Sequence, residues 1–285
     1  MALYEMVDAT RVREPSLIAA FDGWIDAGSA ATTAATHLAE GGEVVATFDA
    51  DILYDYRARR PSLEIVDGRL AELSWPALSL QRVRFGSRDA LILSGHEPDF
   101  HWHELTGAIV QIAKSLEVVE WISLGSIPAA VPHTRAVPVL GSASHDGLLR
   151  GGIRAGPEGV LRVPAAAISV LEMGVAKAGI PALGYYTQIP HYLSGPYPAA
   201  AVELLRAVER HLDGPVALQP LATEASELRV RLDAAAAADD ATKAHVQRLE
   251  AMVDEERQPS GDDLIADIER FLREQGPSTS GGRPN

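Results

Sequence analysis

The stretch "LIAAFDGWIDAGSAA", residues 17–31, decides how this chain is read. An apolar run stops at Asp22-Gly23, Gly28-Ser29 follows, and an Ala/Thr-rich segment continues as a helix. That order is strand, glycine turn, helix start. Helix starts of this kind hold phosphates in nucleotide-binding folds, because their first N–H groups are free. The chemistry here differs. Residues 23–29 spell G-x-x-x-x-G-S, so the lysine that should follow the second glycine is missing. Asp22 and Asp26 place carboxylates where a phosphate needs positive charge. Asp26 or Ser29 can instead cap the helix. The loop therefore reads as a structural corner or an interface, with a small-ligand site as the alternative. Trp24 in this turn is either a lid on the sheet edge or a contact between subunits, where Trp is enriched.

Outward from this corner, apolar β-branched runs alternate with helical patterns. Strands are expected at 16–21, 43–48, 78–85, 90–93, 119–124, 137–142 and 182–188. A hairpin is expected over 63–73, turning at Asp67-Gly68. Helices are expected at 26–40, 102–116, 164–178 and 198–212, the third well buried because it carries few charges. The alternation predicts an α/β class with three α/β/α layers around a mixed sheet. After residue 221 the composition turns rich in Ala, Glu, Asp, Arg and Leu, and residues 222–257 read as one long helix or as two with the break near Asp239-Asp240. A short amphipathic helix is expected over 262–274. The domain reading is a core over 1–220, an acidic C-terminal helical extension over 221–275 and a disordered tail over 276–285.

The formal net charge is −14, which argues against nucleic acid and against an anionic membrane surface. No apolar run approaches the ~18–20 residues of a membrane span. There is no cysteine, so disulfides and thiolate metal sites are excluded and a cytoplasmic location fits. The N-terminus shows no signal-peptide pattern.

Three further loops carry chemistry-bearing residues. In "SGHEPDFHWHE", residues 94–104, His96, His101 and His103 alternate with Glu97, Asp99 and Glu104. The spacing matches no closed zinc pattern, and Asp99 reads as a helix N-cap. In "VPHTRAVPV", residues 131–139, His133 and Arg135 either bind an anion or brace loops through a carboxylate such as Asp22 or Glu97. In "PHYLSGPYPAA", residues 190–200, His191 and Tyr192 suit acid–base work or an interface. All follow strands, whose carboxyl ends gather ligands in α/β sheets. Asp22, Asp26, Glu97, His133, Arg135 and His191 are therefore expected to converge. No nucleophile elbow is present, and the sequence implies no cofactor, no metal and no catalytic residue.

These four loops together, "FDGWIDAGSAA" at 21–31, "GHEPDFHW" at 95–102, "VPHTRAVPV" and "PHYLSGPYPAA", resemble the bacterial branch of the proteasome assembly chaperone family, of the type named for the second assembly chaperone. The acidic helical C-terminus is similar to that of its actinobacterial members. The resemblance implies a phosphorylase/hydrolase-like three-layer core and self-assembly into small homo-oligomers such as trimers. It also implies a non-catalytic assembly chaperone or scaffold, with other proteins bound through the C-terminal helices. Eukaryotic relatives act in pairs to help assemble proteasome α-rings. The alternative is a small-molecule hydrolase, a phosphorylase or an ATP-grasp-like ligase with its site at the strand-end loops.

Overall fold

Strand β2 (Ser16–Asp22) is the first half of the opening stretch, and all but its last residue are buried. Its side chains alternate between two cores. Leu17, Ala19 and Phe21 enter one with Leu105, Ile109 and Leu171, while Ile18 and Ala20 enter the other with Ala31, Leu38 and Leu204. A strand apolar on both faces belongs in the middle of a sheet covered on both sides. The computed structural model, which describes residues 2–7, 12–86, 88–157 and 159–256, places it there.

The eight-stranded sheet runs in the order β1 (Tyr4–Met6), β3 (Glu43–Phe48), β6 (Leu78–Phe85), β7 (Arg88–His96), β2, β8 (Glu120–Ala129), β10 (Ala182–Pro190) and β9 (Val139–Ala143). The pairs β7/β2, β2/β8 and β8/β10 are parallel, and the outer pairs are antiparallel. Helices α1 (Ala30–Ala39) and α5 (Pro198–Leu212) cover one face. Helices α3 (Trp102–Ser115) and α4 (Ala167–Lys177) cover the other. The three-layer α/β/α expectation with a mixed sheet therefore holds. Short α2 (Ala50–Leu53) and β1 are elements the sequence reading lacked.

Helix α4 is shorter than expected and only half buried, with Met173 largely exposed. Its few charges reflect a polar pin: Glu172 accepts hydrogen bonds from Ser123 (2.6 Å), Ser142 (3.1 Å) and Tyr186 (3.3 Å) on three adjacent strands. Strand β8 continues five residues past its expected end.

The expected hairpin forms as β4 (Ser62–Val66) and β5 (Arg69–Ser74), a separate two-stranded sheet. Beyond the core, α6 (Gln219–Ala237) and α7 (Asp240–Glu256) break where Asp239-Asp240 suggested. The helix expected over 262–274 and the tail over 276–285 lie outside the described residues. Among the described residues, no helix is long and apolar enough to cross a membrane.

Candidate functional site

The carboxyl ends of β2 and β7 meet at Asp22 and Glu97. Asp22 Oδ1 accepts from Arg59 Nη1 at 2.8 Å and from the Glu97 N–H at 3.0 Å, and His96 Nε2 lies 3.6 Å from Oδ2. Arg59 also donates to Asp99 Oδ1 at 3.3 Å. The other oxygen of Asp99 takes the Asp55 N–H, so Asp99 does not cap α3; His101 holds the N-cap position instead. The three histidines do not converge, since His96 faces Asp22 and His101 faces Glu104. Among the described residues, no group of three or more His, Asp or Glu side chains is placed to hold a metal ion.

Glu97 ties three elements together. Its Oε2 accepts from the Trp24 N–H at 3.1 Å, and its Oε1 accepts from the N–H of Ala167, the first residue of α4, at 2.8 Å. A carboxylate suits that position, because it satisfies a helix donor and complements the dipole. Gly23 makes the approach possible. Its φ is +128°, and a Cβ there would sit 2.4 Å from Glu97 Oε2. Gly23→Ala is expected to cost about 1–3 kcal/mol from backbone strain alone. It should also free the Trp24 loop, read as a lower Trp24 fluorescence anisotropy after subtraction of the matching Trp24→Phe chain; an unchanged anisotropy would refute this.

Asp26 answers the phosphate question. Its Oδ1 accepts from the N–H groups of Ala31 (2.8 Å) and Thr32 (3.2 Å), and Oδ2 takes the Thr32 hydroxyl. The helix donors that would cradle a phosphate are occupied by the protein's own carboxylate. Burial pushes the Asp26 carboxyl up to about 6, against the opposing pull of those hydrogen bonds.

The ends of β8 and β10 form a second, separate cluster beneath α6 and α7. The His133 N–H donates to Tyr192 Oη at 2.8 Å, and the same hydroxyl lies 2.7 Å from His133 Nδ1. The hydroxyl thus engages the backbone and the ring of His133 together, donating to Nδ1 in one imidazole tautomer and accepting from it in the other. Nε2 is buried, 3.4 Å from Asp233 Oδ1, an ion-pair distance without hydrogen-bond geometry. Burial holds the His133 pKa below its usual value, helped by the Arg229 charge and opposed by Asp233 and Glu250. Arg229 donates to the His133 carbonyl at 3.0 Å. Tyr192→Phe strips partners from a buried N–H and a buried ring nitrogen. We expect a loss of about 2–3 kcal/mol in urea unfolding; a change below 0.5 kcal/mol would show that the pair is wetted.

Arg135 pairs with carboxylates, but not with Asp22 or Glu97. Its Nη1 donates to Glu250 Oε1 at 3.0 Å, and Nη2 donates to Asp254 Oδ2 at 2.7 Å, both on α7. Glu250 also accepts from the Thr134 hydroxyl. His245 of α7 packs edge-on against His191 (5.4 Å) and Tyr192 (5.6 Å), and His191 Nδ1 bonds the Ala129 carbonyl at 3.0 Å.

All four loops lie within the stretch that matches a known family. The PAC2 family pattern matches residues 20–236. This chain belongs to the PAC2 family. It is 30% identical to a Corynebacterium glutamicum protein of unknown function, with a TM-score of 0.83 over 90% of this chain and 98% of that one. It is 33% identical to a Mycobacterium tuberculosis proteasome-assembly chaperone homologue, with a TM-score of 0.74 over 81% and 99%. A Streptomyces avermitilis PAC2 family protein shares 34% identity, with a TM-score of 0.71 over 77% and 94%. No curated protein matches the chain.

In this PAC2 protein the expected convergence of Asp22, Asp26, Glu97, His133, Arg135 and His191 does not occur. Asp22, Trp24 and Glu97 sit at the β2/β7 ends, and Asp26 caps α1. His133, Arg135, His191 and Tyr192 sit under the C-terminal helices. Each carboxylate and the guanidinium of Arg135 are engaged in a cap, a staple or an ion pair. The partners Arg59, Arg229, Asp233, His245, Glu250 and Asp254 were absent from the sequence reading. No local motif marks them, and those reaching Arg135 are 115 and 119 residues away.

Proposed function

We propose that this PAC2 protein is a non-catalytic, self-associating cytoplasmic protein that binds other proteins as an assembly chaperone or scaffold. One observation carries the reading. At the sheet edge where α/β folds bind ligands, the polar groups are committed to one another, and an aromatic side chain is presented instead. Trp24 is 65% exposed on a loop whose backbone is pinned by Glu97. Phe100 and Trp75 are also exposed, each at about half. A rigidly held, exposed Trp suits a protein interface rather than a reaction centre. The similarity to a proteasome-assembly chaperone homologue supports the same reading.

The test is native mass spectrometry of the full chain purified from its host. The expected result is a homo-oligomer, alone or with a bound protein, and loss of that bound protein in Trp24→Ala. A small molecule retained at one per subunit would overturn the proposal and favour the enzymatic alternative.

A further inference from the structure

Two apolar segments of this chain stay exposed among the described residues. The first is the β4/β5 hairpin, every strand residue of which is exposed. Its register pairs Leu63 with Leu73 and Ile65 with Leu70, so these four share one face and are 48–74% exposed. Glu64 and Glu72 stand directly opposite each other on the other face, which also carries the Val66/Arg69 pair. Like charges so placed destabilise a hairpin. An isolated two-stranded hairpin is at best marginally stable in water, so this one calls for a third strand or a covering surface.

The second segment is residues 160–163, V-L-R-V, which joins no helix or strand. Val160, Leu161 and Val163 are 62–88% exposed. Pro164 restricts Val163 to extended backbone. Read as a strand, Leu161 and Val163 share one face, while Val160 and Arg162 share the other. Among the described residues, Arg162, Glu64 and Glu72 have no ion-pair partner.

We propose that residues 160–163 of one copy add as a strand to an outer edge of the β4/β5 hairpin of a second copy. Leu161 and Val163 then continue the Leu63/Leu73/Ile65/Leu70 face, and Arg162 falls beside the Glu64/Glu72 pair. Unpaired backbone groups on both elements gain hydrogen bonds, as in other β-augmentation. The charge pattern selects this occupant. Two hairpins meeting edge to edge would bring four glutamates against two copies of Arg69, whereas the V-L-R-V segment adds a cation and no carboxylate. Among the described residues both elements are open, and a second copy supplies both halves at once. The contact is head-to-tail, which closes into a ring when the rotation allows. This inference rests on the self-association reading above.

The chain has no cysteine, so introduced thiols report without background. Full-length Leu73→Cys and Leu161→Cys chains are mixed and treated with a bismaleimide reaching about 10 Å, two strand spacings. The expected result is a crosslinked dimer that needs both variants, with none when Met173→Cys replaces Leu161→Cys. Arg162→Glu should weaken self-association at least ten-fold in sedimentation equilibrium, and Glu64→Arg/Glu72→Arg should restore it. An oligomer with no mixed crosslink overturns this inference and leaves self-association standing. So does a crosslink between Leu73→Cys chains alone, or one within a chain carrying both cysteines. A parent chain that sediments as a monomer at all concentrations overturns both.

Discussion

His211→Ala is expected to melt about 6–20 °C below the parent, a loss of about 3–5 kcal/mol. The reason is a buried chain of polar groups at the amino ends of the parallel strands. Ser16 Oγ donates to Glu120 Oε1 at 2.7 Å, His211 Nε2 meets Glu120 Oε2 at 3.1 Å, and Tyr185 Oη lies 2.7 Å from His211 Nδ1. The His211 side chain is 1% exposed and that of Glu120 is 12% exposed. This chain joins β2, β8 and β10 to the last turn of α5. Removing the imidazole leaves a carboxylate in the interior without its principal donor, and that cost exceeds the net worth of the pair. Replacing both residues with leucine should recover part of the loss. A melting shift under 2 °C in His211→Ala would show that water reaches Glu120.

The acid limb gives an independent reading of the same chain. Burial pushes the Glu120 carboxyl up, but hydrogen bonds from His211 and Ser16 outweigh it and hold the pKa below its ordinary 4.5. A depressed acid contributes stability that is fully present above its unfolded value and is lost as pH falls through its folded value. Urea stability of the parent should therefore decline below pH 4.5. In His211→Ala that decline should be shallower, because burial then dominates. Parallel pH profiles would refute the coupling.

The second large effect concerns α7. A chain ending at Ala238 is expected to keep its sheet, while backbone amides of residues 131–136 exchange at least ten-fold faster, which is 1.4 kcal/mol of lost protection. Deletion removes Val246, Leu249 and Val253, each under 10% exposed, together with both carboxylates on Arg135. Arg135→Ala in the full chain should give a smaller increase, because partly exposed ion pairs contribute only up to about 1 kcal/mol. Unchanged exchange in the truncated chain would mean that α7 does not brace this loop.

Much of the fold was legible because its signals are local. The unbroken apolar run over 17–21 and the 3.6-residue spacing of Leu105, Ile109 and Ile112 report burial within a few residues of themselves. The hairpin turned where Asp67-Gly68 supplied two residues at positive φ. The capping role of Asp26 was also readable, since its partners lie five and six residues on. Short β1 and α2 were not legible, because three or four residues carry too little periodicity to register.

By itself, the sequence determined that this chain is an α/β protein, that its opening loop opposes phosphate, and that four loops carry a shared family pattern. Only the tertiary structure decided that those loops form two clusters rather than one. A guanidinium attracts every carboxylate alike, so nothing in "VPHTR" tells Arg135 to prefer Glu250 and Asp254 over Asp22 or Glu97. That choice follows from the path of α7 across the ends of β8 and β10, which topology sets and sequence neighbours do not.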